Sequence, residues 1–284
     1  MSNSSRELPP VSTRRAIALA FDLARRDPIH SLVVPLLLRA PWILALGLVT
    51  PGEGAEMHRS LLLIGSMALL GDYLALMITS AMLRFRALSV WEVHRDARPA
   101  PALECYARAL RRVPWLILTE FVRYAAALFG TLFFIVPGVF LGFRLAFAAE
   151  AVTLHEPNLS AAFERSYKLS IKRFERWLEL SIASALFPLA VWFVIAGRTL
   201  MGSEPVPAWW FTAAWLLFAA WTPIVLYAWT FFYLRLAEAS SPGIEVGPMY
   251  AADVAPEPAA AVHEPTVAAE PLFEAQESIE SRPV

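Results

Sequence analysis

Residues 133–170 read FFIVPGVFLGFRLAFAAEAVTLHEPNLSAAFERSYKLS. The stretch starts inside a hydrophobic block at 113–154, about twice the ~20 apolar residues that carry a helix across a bilayer. Pro137-Gly138 lies near the middle of that block. Proline ends a helix because it lacks an N–H, and glycine permits a reversal, so the pair predicts a turn and two spans in place of one. Beyond Glu156 the chain becomes a basic amphipathic segment. Phe163, Tyr167, Ser170, Ile171 and Phe174 share one helical face, while Glu164, Arg165, Lys168, Lys172 and Arg173 take the other face or its flanks. Asn158 or Ser160 is placed to cap the first turn. Such a helix is expected to lie along the bilayer surface with its bases towards anionic headgroups.

Outward from this stretch, four further hydrophobic blocks appear, at 29–49, 61–83, 177–197 and 208–234. With the long block divided into 113–136 and 138–154, the chain has six spans. The distribution of bases tests that division, because basic loops stay cytoplasmic. Arg6, Arg14, Arg15, Arg25 and Arg26 precede the first span. Arg84, Arg86, Arg95, Arg98, Arg108, Arg111 and Arg112 follow the second, and Arg165, Lys168, Lys172, Arg173 and Arg176 follow the fourth. The alternate loops hold only Arg59 and Arg198. All three basic regions fall on one side only if the long block crosses twice, which puts both termini in the cytoplasm. Trp115 and Trp177 then open spans at the cytoplasmic interface, and Trp209 and Trp210 at the outer one, where amphipathic rings are favoured.

The segments around Phe21–Arg26, Tyr106–Arg112 and Tyr167–Arg173 each pair an aromatic residue with two nearby bases just before a hairpin. The expected fold is therefore an all-α integral membrane protein of three hairpins, each preceded by a cytoplasmic amphipathic helix. Two origins fit the pattern, internal duplication and convergence on what a helix entering a membrane requires.

Composition agrees with the membrane reading: 57% of the 284 residues are hydrophobic, 17% are charged and the mean hydropathy is +0.51, against about 25% charged for a soluble domain. The net charge of −1 hides an asymmetry. From residue 239 on, eight acids face the single base Arg282, a balance of −7, so residues 1–238 carry +6. This tail is rich in Pro, Ala and Glu and is expected to be disordered, because it has too little apolar surface to offset ordering entropy. It reads as a solvated segment, with attachment to a protein partner as the second reading. The lone Cys105 excludes a disulfide framework within one chain. No cleavable signal peptide is read at the N-terminus.

Ionisable residues inside spans cost several kcal/mol unless paired or hydrated, so they are the candidate functional groups. They are Asp72 in the second span, Glu120 and Arg123 in the third, and Arg144 and Glu150 in the fourth. Glu120 and Arg123, three apart, are expected to pair on one helix. Asp72 is expected to neutralise Arg144 or Arg123 across helices. Arg39, in the first span, has no evident partner. Two readings follow from such a set: an ion-pair lock that fixes helix packing, or a polar cavity for a lipid headgroup, ion or proton. Pro35, Pro41, Pro188 and Pro223 lie inside spans and predict kinks. Gly138 and Gly142 have the spacing of close helix packing. The five histidines make no metal-ligand spacing, and no P-loop, HExxH or nucleophile elbow occurs. No catalytic residue, metal site, cofactor or nucleic-acid partner is therefore assigned. The expected partners are membrane lipids, through anionic headgroups at the cytoplasmic face.

Pro137-Gly138, a base in a short span at Arg144, the acid Glu156, and then Ser166-Tyr167-Lys168-Leu169 resemble a bacterial membrane family. It comprises the glycerophosphoryl diester phosphodiesterase membrane domain and its standalone, YciC-like relatives. The resemblance is sharpest over 130–180 and extends in outline over the six spans, not the tail. It implies an integral module of the bacterial inner membrane. It does not imply diesterase activity, since the soluble barrel that carries the catalytic residues has no counterpart here. The functional expectation is a non-enzymatic inner-membrane scaffold or helper in lipid or envelope homeostasis. The alternative is a small transporter or lipid-binding protein that uses the charged cluster.

Overall fold

A computed structural model of the chain describes residues 12–49, 59–92, 100–156, 158–171, 173–201 and 207–240. The acidic tail expected to be disordered lies, from residue 241 on, outside the described residues. So do the basic residues Arg6, Arg95, Arg98 and Lys172. Every regular element among the described residues is helical. They are α1 (Thr13–Arg26), a π-helical turn (Ile29–Val33) that leads into α2 (Val34–Val49), α3 (Arg59–Glu92), α4 (Ala102–Phe133), α5 (Ile135–Arg144), α6 (Ala148–Leu154), α7 (Leu159–Ser170), α8 (Phe174–Met201) and α9 (Ala208–Ser240). Six segments among them are long and apolar enough to cross a membrane: Ile29–Leu48, Leu62–Trp91, Ala102–Phe133, Ile135–Leu154, Phe174–Arg198 and Trp209–Glu238. The chain is a multi-pass membrane protein. Helix is imposed on it because hydrocarbon offers no partner for a free peptide group.

The turn in the long block lies three residues earlier than expected. Phe134, extended at φ −158° and ψ 141°, separates α4 from α5. Pro137 falls in the first turn of α5, where a missing N–H costs nothing. Gly138 lets the two helices meet: a Cβ there would stand 2.0 Å from Thr131 Oγ1 and 2.6 Å from the Thr131 backbone nitrogen. Gly142 makes no such approach, since a Cβ added there meets nothing within 4 Å. The expected glycine pair is therefore one packing glycine and one that leaves open space.

The core sits at one end of the bundle. It is built from α1, the C-terminal half of α3, the first half of α4, Phe147 with α6, α7 and the last turns of α9, joined by Leu180 of α8. Alanine recurs in it, at Ala20, Ala81, Ala109, Ala151 and Ala162, so backbones approach closely. The opposite ends expose apolar side chains: Leu48 is 86% exposed and Phe133 76%.

The segments expected to be amphipathic divide into two kinds. α1 and α7 are separate helices, whereas residues 102–112 are the first turns of α4 itself. Nothing there stops the helix, and Pro114 is carried inside it. α7 begins at Asn158, whose Oδ1 accepts the Ala161 N–H at 2.9 Å. It buries Ala162, Ser166, Leu169 and Ser170 and leaves Tyr167 and Ile171 exposed, with Phe174 just beyond it. Of the face expected to contact lipid, Ser170 packs inward and those three larger side chains face out. α1 buries Ala16, Ala20, Leu23 and Ala24 and packs against α9.

Candidate functional site

The fourth span is a broken helix. α5 ends at Arg144, residues 145–147 make a turn, and α6 resumes at Ala148. Ser166 of α7 spans the break. Its hydroxyl donates to the Arg144 carbonyl at 2.9 Å and accepts the Phe147 N–H at 3.1 Å. Both groups would otherwise be stranded in an apolar region. Ser166→Ala should lower stability by about 1–3 kcal/mol, the cost of stranding a buried donor. Denaturant unfolding in detergent measures it.

The charged residues form three layers. In the first, Arg39 grips Asp72 side-on, Nε to Oδ1 at 2.7 Å and Nη2 to Oδ2 at 2.8 Å. Trp215 Nε1 adds a contact to Asp72 at 3.4 Å and Arg39 Nη1 reaches Thr222 Oγ1 at 3.4 Å. This corrects the expectation for Asp72, which pairs with neither Arg144 nor Arg123, and gives Arg39 its partner. The cause is the α2–α3 hairpin: the two residues lie at comparable distances from the connection and so reach the same depth.

The second layer joins four charges. Glu120 and Arg123 pair along α4 at 2.5 Å, as their spacing predicts. Glu150 of α6 is held by Arg84 of α3, whose Nε and Nη2 both reach Oε1, at 3.2 and 3.1 Å. Arg84 Nη1 donates to Ser80 Oγ at 2.5 Å. The apolar run ends at Leu83, which predicts a loop for Arg84, yet α3 continues to Glu92. The signal available was the four-residue spacing Asp72, Leu76, Ser80, Arg84, which is one face of a continuous helix. In the third layer Asp27 contacts Arg86 and accepts from His30 Nδ1 at 3.0 Å. Burial alone would raise the Asp27 pKa, but the His30 hydrogen bonds and the Arg86 charge hold it below its ordinary value.

Around the second layer lies a cavity of about 430 Å³, within the size range of ligand sites. Arg84, Glu120, Arg123 and Glu150 stand on its wall with Ser80 and Tyr124. The rest of the lining is mostly apolar, with Leu76, Leu226, Trp177 and Trp229 among it. Gly142 and Ala146 face it, so the open space at Gly142 is cavity. Tyr124 lines it and is itself 61% exposed on the outer side of α4. Three of the five candidate residues therefore meet here, and Asp72 and Arg144 do not.

Arg144 stands two residues from both Gly142 and Ala146 and so points to the opposite side of the helical turn. Its guanidinium carbon lies 4.7 Å from the ring centroids of Phe140 and Tyr167 and 5.7 Å from that of Phe143. Its Nε and Nη1 are buried and have no hydrogen-bond partner among the described residues. Aromatic faces stabilise its charge through their quadrupoles, an arrangement worth about 0.5–2 kcal/mol.

His155, just beyond α6, shares a 2.9 Å hydrogen bond with the Tyr233 hydroxyl through Nδ1. Burial, with the nearby charge of Arg165, lowers its pKa from 6.5 to about 4. The unfolded chain then binds a proton that the folded one refuses between those values, so stability falls as pH falls through that window. The loss reaches about 3 kcal/mol at pH 4. Unfolding followed from pH 7 to 4 should show it, and His155→Gln should flatten the curve.

Comparison with family models, with curated proteins and with solved structures gives no match. The functional reading rests on the cavity itself.

Proposed function

We propose that this chain is a non-enzymatic protein of the bacterial cytoplasmic membrane that holds a membrane amphiphile in the charged cavity, in the service of lipid or envelope homeostasis. One observation carries the reading: four buried or half-buried charges stand on the wall of an otherwise mostly apolar cavity, which the exposed Tyr124 of α4 also lines. A structural lock needs no such space beside it. The orientation places both termini in the cytoplasm, as the basic loops require. Reporter fusions within 93–99, within 171–173 and after Ser240 should all give cytoplasmic signals, and a periplasmic signal at any of them would sink it. Kinship with the glycerophosphoryl diester phosphodiesterase membrane domain and its YciC-like relatives belongs to the same proposal. It is supported by the work its residues do: Gly138 closes the α4–α5 hairpin, and Ser166 and Tyr167 clasp the break at Arg144.

The test uses Gly142→Leu. A Cβ there meets no other atom within 4 Å and Gly142 lines the cavity, so the variant should fold and keep its ion pairs. Native mass spectrometry of the protein purified with its co-extracted lipids should show bound lipid on the wild type and its loss on Gly142→Leu. Equal lipid on both, with both folded, overturns the reading.

A further inference from the structure

The two buried Arg–carboxylate pairs across helices differ in one geometric respect. Arg39 uses two nitrogens on two oxygens of Asp72, so both carboxylate oxygens are satisfied. Arg84 puts two nitrogens on a single oxygen of Glu150. Glu150 Oε2 is left buried with no hydrogen bond from any described residue, on a side chain only 4% exposed. An orphaned carboxylate oxygen at that burial is expensive, and it belongs to a residue of the cavity wall. Arg84 holds Oε1 alone, so Oε2 is the oxygen left free to accept from a ligand in the cavity. A second acid with a similar shortfall stands on the same wall: Glu120 Oε2 touches Arg123 without hydrogen-bond geometry. Arg123, also on the wall, keeps 22% of its side chain exposed and is held by Glu120 through Nη2.

A ligand that completes this wall brings N–H donors to Glu150 and an anion to Arg123. A bare cation leaves Arg123 unused, and a bare phosphate is repelled by both acids. A zwitterion of a phosphate and a primary ammonium satisfies both, and the apolar remainder of the cavity suits the chain attachment of a lipid. We propose, resting on the amphiphile reading above, that the cavity takes the headgroup of an aminophospholipid, its primary ammonium on Glu150 and its phosphate on Arg123. The primary amine matters because an orphaned acceptor requires a donor. A quaternary ammonium has none and would depend on the faces of Trp177 and Trp229 alone.

The experiment is competitive native mass spectrometry of the full chain in detergent. Phosphatidylethanolamine, its mono- and dimethylated forms, phosphatidylcholine and phosphatidylglycerol are offered with identical acyl chains. Phosphatidylethanolamine should bind about tenfold or more better than phosphatidylcholine, the ratio expected of one charge-assisted hydrogen bond, with a fall at each methylation. Glu150→Gln, whose amide oxygen still accepts from Arg84, should erase that preference. Arg123→Gln should weaken both lipids together. Phosphatidylcholine equal to or tighter than phosphatidylethanolamine overturns the proposal, as does a folded Glu150→Gln that keeps the preference. If Glu150→Gln does not fold, the methylation series on wild-type protein decides by itself. Free phosphoethanolamine should not displace the lipid at millimolar concentration, and displacement overturns the assignment to a lipid. Failure of the headgroup preference while Gly142→Leu still expels lipid removes this proposal alone. If Gly142→Leu expels nothing, the amphiphile reading falls with it.

Discussion

Asp72→Leu should destabilise the folded protein by about 3–5 kcal/mol, because it leaves the Arg39 guanidinium buried without its counter-charge. Arg39 is 6% exposed and loses two charge-assisted hydrogen bonds at once. The contacts that remain, to Thr222 at 3.4 Å and to the apolar wall of the α2–α3 hairpin, cannot replace them. Arg39→Met should cost a similar amount for the opposite reason. The double variant Arg39→Met/Asp72→Leu should recover most of the loss, since a well-packed apolar pair of similar volume is often as stable as a buried ion pair. Unfolding in detergent micelles reads all three. The double variant should also retain bound lipid, because neither residue stands on the cavity wall. If Asp72→Leu is neutral, or if the double variant is worse than either single one, the pair is not a lock.

Much of this fold was legible in the sequence, and the parts that were not share a cause. Six spans followed from counting bases around Pro137-Gly138, because lipid reduces the choices to helix and the loops to two sides. The exact turn was not legible: Pro137 fits a first helical turn as well as a helix end, and Phe134 carries no local signal for an extended conformation. The break at 145–147 contains neither proline nor glycine. It is held by Ser166, nineteen residues from Phe147, and such tertiary support is invisible to periodicity. Among the charges, Glu120–Arg123 was readable because its partners share a helix. Arg39–Asp72 and Arg84–Glu150 needed the depth register between helices, and Arg84 also needed a helix that outlasts its apolar run. The sequence posed lock and cavity as alternatives for one cluster; the charges divide into a pair off the cavity wall, Arg39–Asp72, and four residues on it, at different positions along α3.

The Arg84–Glu150 pair separates these two roles most sharply. Arg84→Met should cost about 3–5 kcal/mol, since Glu150 is 3% exposed and Arg84 supplies every hydrogen bond that it receives among the described residues. The double variant Arg84→Met/Glu150→Leu should regain stability as the Arg39/Asp72 double does, because both remove a buried pair whole. Lipid retention should diverge. The Arg39/Asp72 double keeps the cavity wall intact, whereas the Arg84/Glu150 double removes the acceptor that the headgroup requires and should lose bound aminophospholipid despite its recovered fold. Unfolding and native mass spectrometry on the same preparations give both readouts. Retention of lipid by a stable Arg84→Met/Glu150→Leu protein would make this pair a second lock and leave Glu120 and Arg123 as the only charges that meet a ligand. Loss of lipid at restored stability cannot be put down to unfolding, because the Arg39/Asp72 double, rescued in the same way, keeps the cavity wall and with it the lipid.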